Sequence, residues 1–162
     1  MSSANQDPRR ESVEFQFSDE SGLFCVDFER IEKALRKILA DAGVLRGRIE
    51  LVVLSAEPMH KINVEFLGHD YPTDVLAFAL DDQNDPTLLE GNIAICSDVA
   101  AEFAQKYRWT REDELLLYAI HGALHLVGYD DHNPDGAEIM HAKEREYLAY
   151  VGVDGSRSRE GE

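Results

Sequence analysis

Two histidines four residues apart are the feature of this 162-residue chain best suited to chemistry. The stretch reads His121-Gly-Ala-Leu-His125-Leu-Val-Gly128-Tyr-Asp-Asp131-His132. On a helix, positions i and i+4 lie on one face, so both imidazoles can reach one ion. A glycine three residues later can end the helix in a left-handed turn and bend the chain back. The spacing therefore predicts a metal site built from a helix and the turn that follows it.

The donor types favour zinc with an open coordination position. Two imidazoles and one ligand from the turn would leave a tetrahedral zinc ion one position for water, as in catalytic sites. Zinc lowers the pKa of a bound water to about 7. The residues around the histidines are apolar on nearly every side, which predicts a buried helix. Buried imidazoles need polar partners, either a metal ion or hydrogen-bonding groups in the core. We predict one Zn²⁺ per chain.

The residue after the first histidine argues against a protease. In zinc proteases with the pattern His-Glu-x-x-His, that glutamate removes a proton from the attacking water. Gly122 stands at this position here. A metallopeptidase of this type would lack its general base.

Composition predicts one soluble domain over residues 12–152, with disordered tails at 1–11 and 153–162. The formal net charge of −16 disfavours non-specific binding to nucleic acid or anionic membranes. The chain has no apolar run of membrane-spanning length and no signal-peptide pattern at its start, so we expect a cytoplasmic protein. Cys25 and Cys96 match no metal or redox spacing and are expected to be buried free thiols.

Strand and helix patterns alternate irregularly along the chain. Strands are predicted at 13–17, 49–54, 75–78 and 91–96, and an acidic connection at 81–90. Helices are predicted to begin after five capping residues, namely Asp27, Ser55, Ser97 or Asp98, Thr110 and Asn133. Phe66 and Ile139 are expected to face inward on their helices. The order indicates an α+β fold, a single domain with a mixed sheet of about four strands covered by helices.

Three segments in this order resemble the YbeY family. They are the motif His-Gly-x-Leu-His-Leu-x-Gly-Tyr-Asp, the preceding run Pro72-Thr-Asp-Val-Leu-Ala-Phe78, and Gly91-Asn-Ile-Ala-Ile95. The resemblance covers most of residues 13–151. It implies a single-domain, zinc-dependent bacterial endoribonuclease involved in ribosomal RNA maturation and ribosome quality control. It also implies ribosomal RNA as substrate, ribosomal proteins or assembly GTPases as further partners, and no action on DNA.

The resemblance implies that His121 and His125 are the first two zinc ligands. The family pattern continues Gly-Tyr-Asp-His, whereas this chain has Asp131 at the ligand position and His132 after it. Carboxylate oxygen and imidazole nitrogen both bind zinc near 2 Å. Imidazole suits zinc better, which favours His132, and Asp131 is the alternative third ligand or a partner of a ligand. Asp74 is the candidate catalytic residue, with turn capping as its alternative role.

Two departures from the family bear on activity. Leu67 stands where the family carries an arginine, and Asn92 stands where it carries an aspartate. Both changes, together with the negative net charge, keep a second hypothesis open: a ribosome assembly or binding factor with a mainly structural zinc. A small metallopeptidase is the third hypothesis, and Gly122 disfavours it.

Overall fold

The computed structural model describes residues 12–23, 26–68, 73–80 and 84–155. They form a four-stranded mixed sheet and five helices, which confirms the predicted α+β class. The elements follow in the order β1 (Val13–Asp19), α1 (Phe28–Asp41), β2 (Arg46–Leu54), α2 (Ala56–Leu67), β3 (Val75–Ala79), β4 (Leu88–Cys96), α3 (Ser97–Tyr107), α4 (Arg111–Leu126) and α5 (Pro134–Tyr150).

The strands are arranged in the order β1-β2-β4-β3. The pairs β1–β2 and β2–β4 are parallel, and β3 joins the edge beside β4 in the antiparallel direction. Parallel neighbours need a crossover, which α1 supplies between β1 and β2. The central strands β2 and β4 are consequently the most deeply buried part of the sheet.

The two faces of the sheet are covered to different extents. Because side chains alternate along a strand, Ile49, Leu51 and Val53 of β2 point to one face and pack in the main core with α1, α4 and α5. Val52 and Leu54 point to the other face, where a smaller cluster packs beneath α2. The first face is covered by three helices, and the second face is covered by one helix.

Three helix starts predicted from capping residues are confirmed. The side chain of Asp27 accepts the Arg30 N–H at α1, that of Thr110 accepts the Asp113 N–H at α4, and Asn133 accepts the Gly136 N–H at α5. Each cap satisfies a backbone donor that the helix itself leaves unpaired.

The prediction that Ser97 or Asp98 caps α3 is wrong. Strand β4 runs directly into the helix, so Ser97 is already helical and Cys96 holds the N-cap position. The Ser97 hydroxyl donates instead to the Leu54 carbonyl oxygen at 3.2 Å, and an Asp98 carboxylate oxygen accepts the Ala56 N–H at 2.6 Å. Both side chains therefore connect α3 to the β2–α2 junction.

Two side chains expected inside are exposed. Phe66 is 63% exposed at the last turn of α2, where its ring contacts Phe78 with centroids 5.8 Å apart. Ile139 is 55% exposed, because the buried stripe of α5 passes through Met140 and Leu148. One residue along a helix turns a side chain by about 100°, which is enough to move Ile139 out of the core.

Several boundaries also differ from the expectation or lie outside the described residues. Strand β4 begins at Leu88, three residues before the predicted start, so the acidic connection is shorter.

Cys96 is a buried free thiol as predicted, and its pKa is raised by burial; Cys25 lies outside the described residues. Residues 1–11 and 156–162 of the predicted tails also lie outside the described residues, whereas Gly155 is described and buried. Within the described part of the chain, no helix has the length and apolar character needed to cross a membrane.

Candidate metal centre

Helix α4 brings the two histidines to the edge of the core. Its residues from Glu114 to Ile120 are buried, and Gly122 lies against the sheet so closely that an added Cβ would come within 2.9 Å of Ile93 Cγ2. This contact fixes the face of α4 that meets the sheet. His121 and His125 stand on another part of the helix, where both side chains are partly exposed.

The turn after α4 carries the chain back over these histidines. Gly128 has φ of +105°, a conformation that side-chain-bearing residues rarely adopt. Its N–H donates to the His125 carbonyl oxygen at 3.1 Å, and the Tyr129 N–H donates to the Leu124 carbonyl oxygen at 3.0 Å. The predicted glycine turn is thus present, and it places Asp131 beside the helix.

Three potential ligands converge at this point. The two Nε2 atoms of His121 and His125 are 3.0 Å apart. Asp131 places Oδ2 3.6 Å from the first of them and Oδ1 3.6 Å from the second. Nitrogen and oxygen ligands bound tetrahedrally at zinc distances lie about 3.3–3.6 Å apart. The two nitrogen–oxygen separations lie in this range and the nitrogen–nitrogen separation is slightly shorter, so the donor types and their close grouping suit a zinc ion.

The structure places His132 outside this group. Its imidazole is 78% exposed, and its Nδ1 lies 2.7 Å from Asp130 Oδ1. The same carboxylate oxygen accepts the His132 backbone N–H at 2.9 Å. Asp131, rather than His132, is the turn residue that the fold brings to the two helical histidines.

Glu144 on α5 supports the first histidine and was not identified from the sequence. Its side chain is only 7% exposed, and Oε2 lies 2.5 Å from His121 Nδ1. A carboxylate at this position accepts the Nδ1 proton and leaves the lone pair of Nε2 directed at the metal group. The sequence feature that could have identified Glu144 is its position in the apolar stripe of α5, four residues after Met140 and four before Leu148.

The two imidazoles differ in their affinity for protons. Burial lowers the pKa of His121, but the hydrogen bond and charge of Glu144, with Asp131 and Asp74, outweigh it, so the pKa is raised. Burial and the nearby His121 lower the pKa of His125. His125 is therefore held neutral, the form in which imidazole binds metal ions.

Asp74 lies immediately before β3, close enough for its charge to raise the pKa of His121. Its Oδ1 accepts the Val75 N–H at 2.7 Å and a longer hydrogen bond from the Thr73 hydroxyl at 3.4 Å. The carboxylate thus both caps the turn and contributes negative charge to the candidate site.

Of the two departures from the family pattern, Leu67 is exposed at the end of α2, and Asn92 faces away from α4 on the second face of the sheet.

The chain is similar to known proteins over most of its length. A family model described as Endoribonuclease YbeY matches residues 16–152. Among curated relatives named Endoribonuclease YbeY, the one from Rhodopirellula baltica is 35% identical over 80% of this chain and 68% of its own length. The relative from Bacillus licheniformis is 34% identical over 90% of this chain and 99% of its own length.

The fold has a counterpart among solved structures. The solution structure of a protein from Thermotoga maritima is similar with a TM-score of 0.62 and 28% sequence identity. The similarity covers 85% of this chain and 88% of that one.

Proposed function

The chain belongs to the Endoribonuclease YbeY family, and from that premise we propose that it is a zinc-dependent endoribonuclease. We propose further that it cleaves single-stranded segments of ribosomal RNA in the cytoplasm, during RNA maturation and ribosome quality control. Ribosomal proteins and assembly GTPases would be its further partners. The single observation that carries the proposal is the convergence of His121, His125 and Asp131 at the end of a buried helix.

The residues of the site divide the work as follows. His121, His125 and Asp131 would hold the zinc ion, and Glu144 would keep the proton of His121 on Nδ1. When bound, zinc would supply a Lewis acid that polarises a phosphodiester oxygen and promotes deprotonation of water. The Asp74 carboxylate would add negative charge beside the ligands and hold the turn before β3 in place.

The number of protein ligands supports an enzyme rather than a purely structural zinc site. The described residues offer one group of three ligands, and His132 is turned towards Asp130. Structural zinc sites in proteins use four protein ligands, whereas catalytic sites use three and leave a position open. Glu144 is already engaged by His121 on the far side of the ring.

The proposal is tested by incubating single-stranded and structured ribosomal RNA fragments with the purified chain, with and without one equivalent of zinc. We expect endonucleolytic products only with zinc and none from the His125→Ala variant. Intact RNA in all reactions, with zinc content and folding verified, would refute the proposed activity.

The second candidate is an assembly factor with a structural zinc. It is favoured by the net charge of −16 and by exposed Leu67 in place of an arginine, since both weaken attraction to phosphate. X-ray absorption of the zinc-loaded chain separates the two. Four protein ligands would support the assembly factor, and three protein ligands with exchangeable water would support the enzyme.

A metallopeptidase has less support. The position that carries the glutamate base in His-Glu-x-x-His proteases is Gly122, which has no room for a side chain against Ile93 and Val75. Helix α4 could not present a carboxylate from this position without separating from the sheet.

A further inference from the structure

Strand β1 forms one edge of the sheet, because the strand order is β1-β2-β4-β3 and no other strand of the described residues lies beside it. It runs in unbroken register with β2 over Val13–Asp19 and contains no lysine, proline or glycine. Native edge strands are usually blunted by lysine, proline or a bulge, or are covered by another segment. A seven-residue edge without these features is suited to pairing with a further strand.

The hydrogen bonds to β2 show which backbone groups of β1 lie at the free edge. The Ser12 carbonyl oxygen accepts an N–H from β2 at 3.2 Å, and the Glu20 N–H donates to a β2 carbonyl oxygen at 2.9 Å. In a parallel pair, the N–H and C=O of alternate residues point to the same neighbouring strand. The even-numbered residues of β1 therefore bond to β2, and the backbone groups of Phe15 and Phe17 point away from the sheet.

The side chains of β1 alternate in the same way. Glu14, Gln16 and Ser18 are exposed on the second face of the sheet. Phe15 and Phe17 are half-buried against the main core on the face that α1 covers, and their ring centroids are 5.8 Å apart. A strand added at this edge would meet polar side chains on one face and aromatic rings on the other.

We propose that the edge of β1 pairs with β1 of a second copy of this chain. The two strands run antiparallel about a two-fold axis at Gln16. Phe15 of each copy lies opposite Phe17 of the other, and these two residues exchange both backbone hydrogen bonds. The two sheets then form one continuous sheet of eight strands, four from each copy.

The sequence of β1 is self-complementary in this register. Glu14 lies opposite Ser18 and Val13 opposite Asp19, so no carboxylate faces another across the two strands. The opposed phenylalanines form aromatic cross-strand pairs, which stabilise antiparallel sheets. Moving the axis by one residue in either direction would leave the residues at one end of each strand without a partner. The second copy therefore matches the whole strand only when the axis is at Gln16.

An unsatisfied carboxylate at the end of β1 fits the same arrangement. Asp19 Oδ1 accepts the N–H and the hydroxyl of Ser21, at 2.9 and 2.5 Å, whereas Oδ2 has no hydrogen-bond donor among the described residues. Across the axis, Asp19 lies opposite Val13, whose carbonyl oxygen accepts a hydrogen bond from Arg36 Nη1 at 3.1 Å. The guanidinium of each copy is thus beside the Asp19 carboxylate of the other, where it forms a charge-assisted pair.

The metal centres lie away from this interface. Gly122 of α4 packs on β3 and β4, on the opposite side of the sheet from the β1 edge. With neighbouring strands about 4.8 Å apart, the two β4 strands of the dimer are separated by roughly 24 Å. Both centres remain accessible on the same face of one sheet. This inference concerns assembly and does not depend on the proposed RNA cleavage.

The first test measures the mass of the purified chain by sedimentation velocity. A buffer of about 0.15 M ionic strength, with a Debye length of about 8 Å, limits the repulsion between two chains of net charge −16. Protein concentration is varied from roughly 1 μM to 1 mM, which covers weak to moderate dissociation constants. We expect a dimer whose fraction rises with concentration.

Amide hydrogen exchange locates the interface on the strand. In the dilute monomer, the N–H groups of Gln16 and Ser18 should be protected by β2, and those of Phe15 and Phe17 should exchange rapidly. In the dimer all four should be protected, with exchange at Phe15 and Phe17 slowed by roughly tenfold or more.

Two variants with the same change in charge test the register. Gln16→Lys brings two ammonium groups together at the axis and is expected to weaken the dimer roughly tenfold. Ser18→Lys places its ammonium group opposite Glu14 of the second copy and is expected to associate at least as well as the parent chain. Both side chains are exposed on the same face of β1, so each variant is the control for the other. Circular dichroism and unchanged zinc content verify folding.

The proposal is overturned if the chain stays monomeric over the whole concentration range, or if the two variants weaken the dimer equally. Phe15 and Phe17 amides that are already protected in the dilute monomer would show that another segment of the same chain covers the edge, and would also overturn it. RNA cleavage is measured separately, so loss of the endoribonuclease proposal would leave this result unaffected.

Discussion

At the scale of single residues, the three candidate ligands are held in place by different means. His121 is fixed by the buried carboxylate of Glu144, and His125 by its position on the same helix one turn later. Asp131 comes from a turn and is 35% exposed. The positions of the two histidines are therefore set by one helix, whereas that of Asp131 depends on the direction of the turn after Gly128.

The first prediction concerns which turn residue binds zinc. His125→Ala and Asp131→Asn should each lower zinc affinity by about 100-fold or more, because each removes a ligand from a group of three. His132→Ala should bind zinc as the parent chain does, since its imidazole is directed to Asp130. Zinc content after gel filtration and competition with a chromophoric chelator measure both effects. Loss of zinc from His132→Ala alone would instead make that residue the ligand.

The second prediction concerns Glu144. Glu144→Ala should lower zinc affinity by about 10–100-fold, because His121 loses the acceptor that orients its ring. Glu144→Gln should lose less zinc affinity, since an amide oxygen can still accept a hydrogen bond from His121 Nδ1. Chelator competition measures the dissociation constants without relying on RNA cleavage. The control variant is Glu138→Gln, which changes an exposed acid on the same helix. An equal loss of zinc affinity in the Glu138 and Glu144 variants would contradict a positioning role for Glu144.

At the scale of elements, helix α4 unites the core and the site. Its first half is buried by α1, α3 and the sheet, and its last turn carries the histidines. Because Gly122 has no side chain, α4 packs closely against β3 and β4. The buried core and the metal centre therefore lie on one helix. The same small residue that excludes a protease base thus positions the metal ligands.

The third prediction follows from that contact. Gly122→Ala should lower the free energy of unfolding by about 1–3 kcal/mol, because the new methyl group would overlap Ile93 and Val75. Helix propensity alone predicts the opposite, a gain of up to about 1 kcal/mol. Chemical denaturation of the metal-free chain measures the sign. A gain in stability would show that α4 does not pack on the sheet as closely as described.

At the scale of the whole molecule, the first and last helices are connected by a polar contact. Tyr147 of α5 is buried and donates a hydrogen bond to Asp41 Oδ2 of α1 at 2.8 Å. The hydrogen bonds from Lys37 and Tyr147 lower the pKa of Asp41 below its ordinary value of 3.8. Burial and the same bond raise the pKa of Tyr147, so its hydroxyl stays protonated at neutral pH.

The fourth prediction is a pH-dependent loss of stability in Tyr147→Phe. A carboxylate whose pKa is lowered by folding stabilises the fold above its unfolded pKa, and this contribution disappears as pH falls through the folded value. The variant should therefore be less stable than the parent by about 1 kcal/mol at pH 7. The difference should shrink below pH 3.8. Urea denaturation across this pH range tests it; a constant difference would assign the effect to packing alone.

The sequence alone determined the features that depend on near neighbours in the chain. The His121–His125 spacing, the Gly128 turn and the caps at Asp27, Thr110 and Asn133 involve residues a few positions apart, so their geometry follows from helix periodicity and local hydrogen bonding. The α+β class followed from the order of such elements. The motif order was also specific enough to indicate the family.

Only the tertiary structure decided which distant residues meet. Glu144 is 23 positions from His121, and their contact depends on how α5 packs against α4. Asp131 and His132 are both suitable zinc ligands, and the direction of the turn distinguished them geometrically. Phe66 was placed inside by helical periodicity, but its side chain is 63% exposed at the last turn of α2, because burial requires a covering surface that periodicity does not supply. Contacts of this kind are set by the packing of whole elements, which local sequence patterns do not specify.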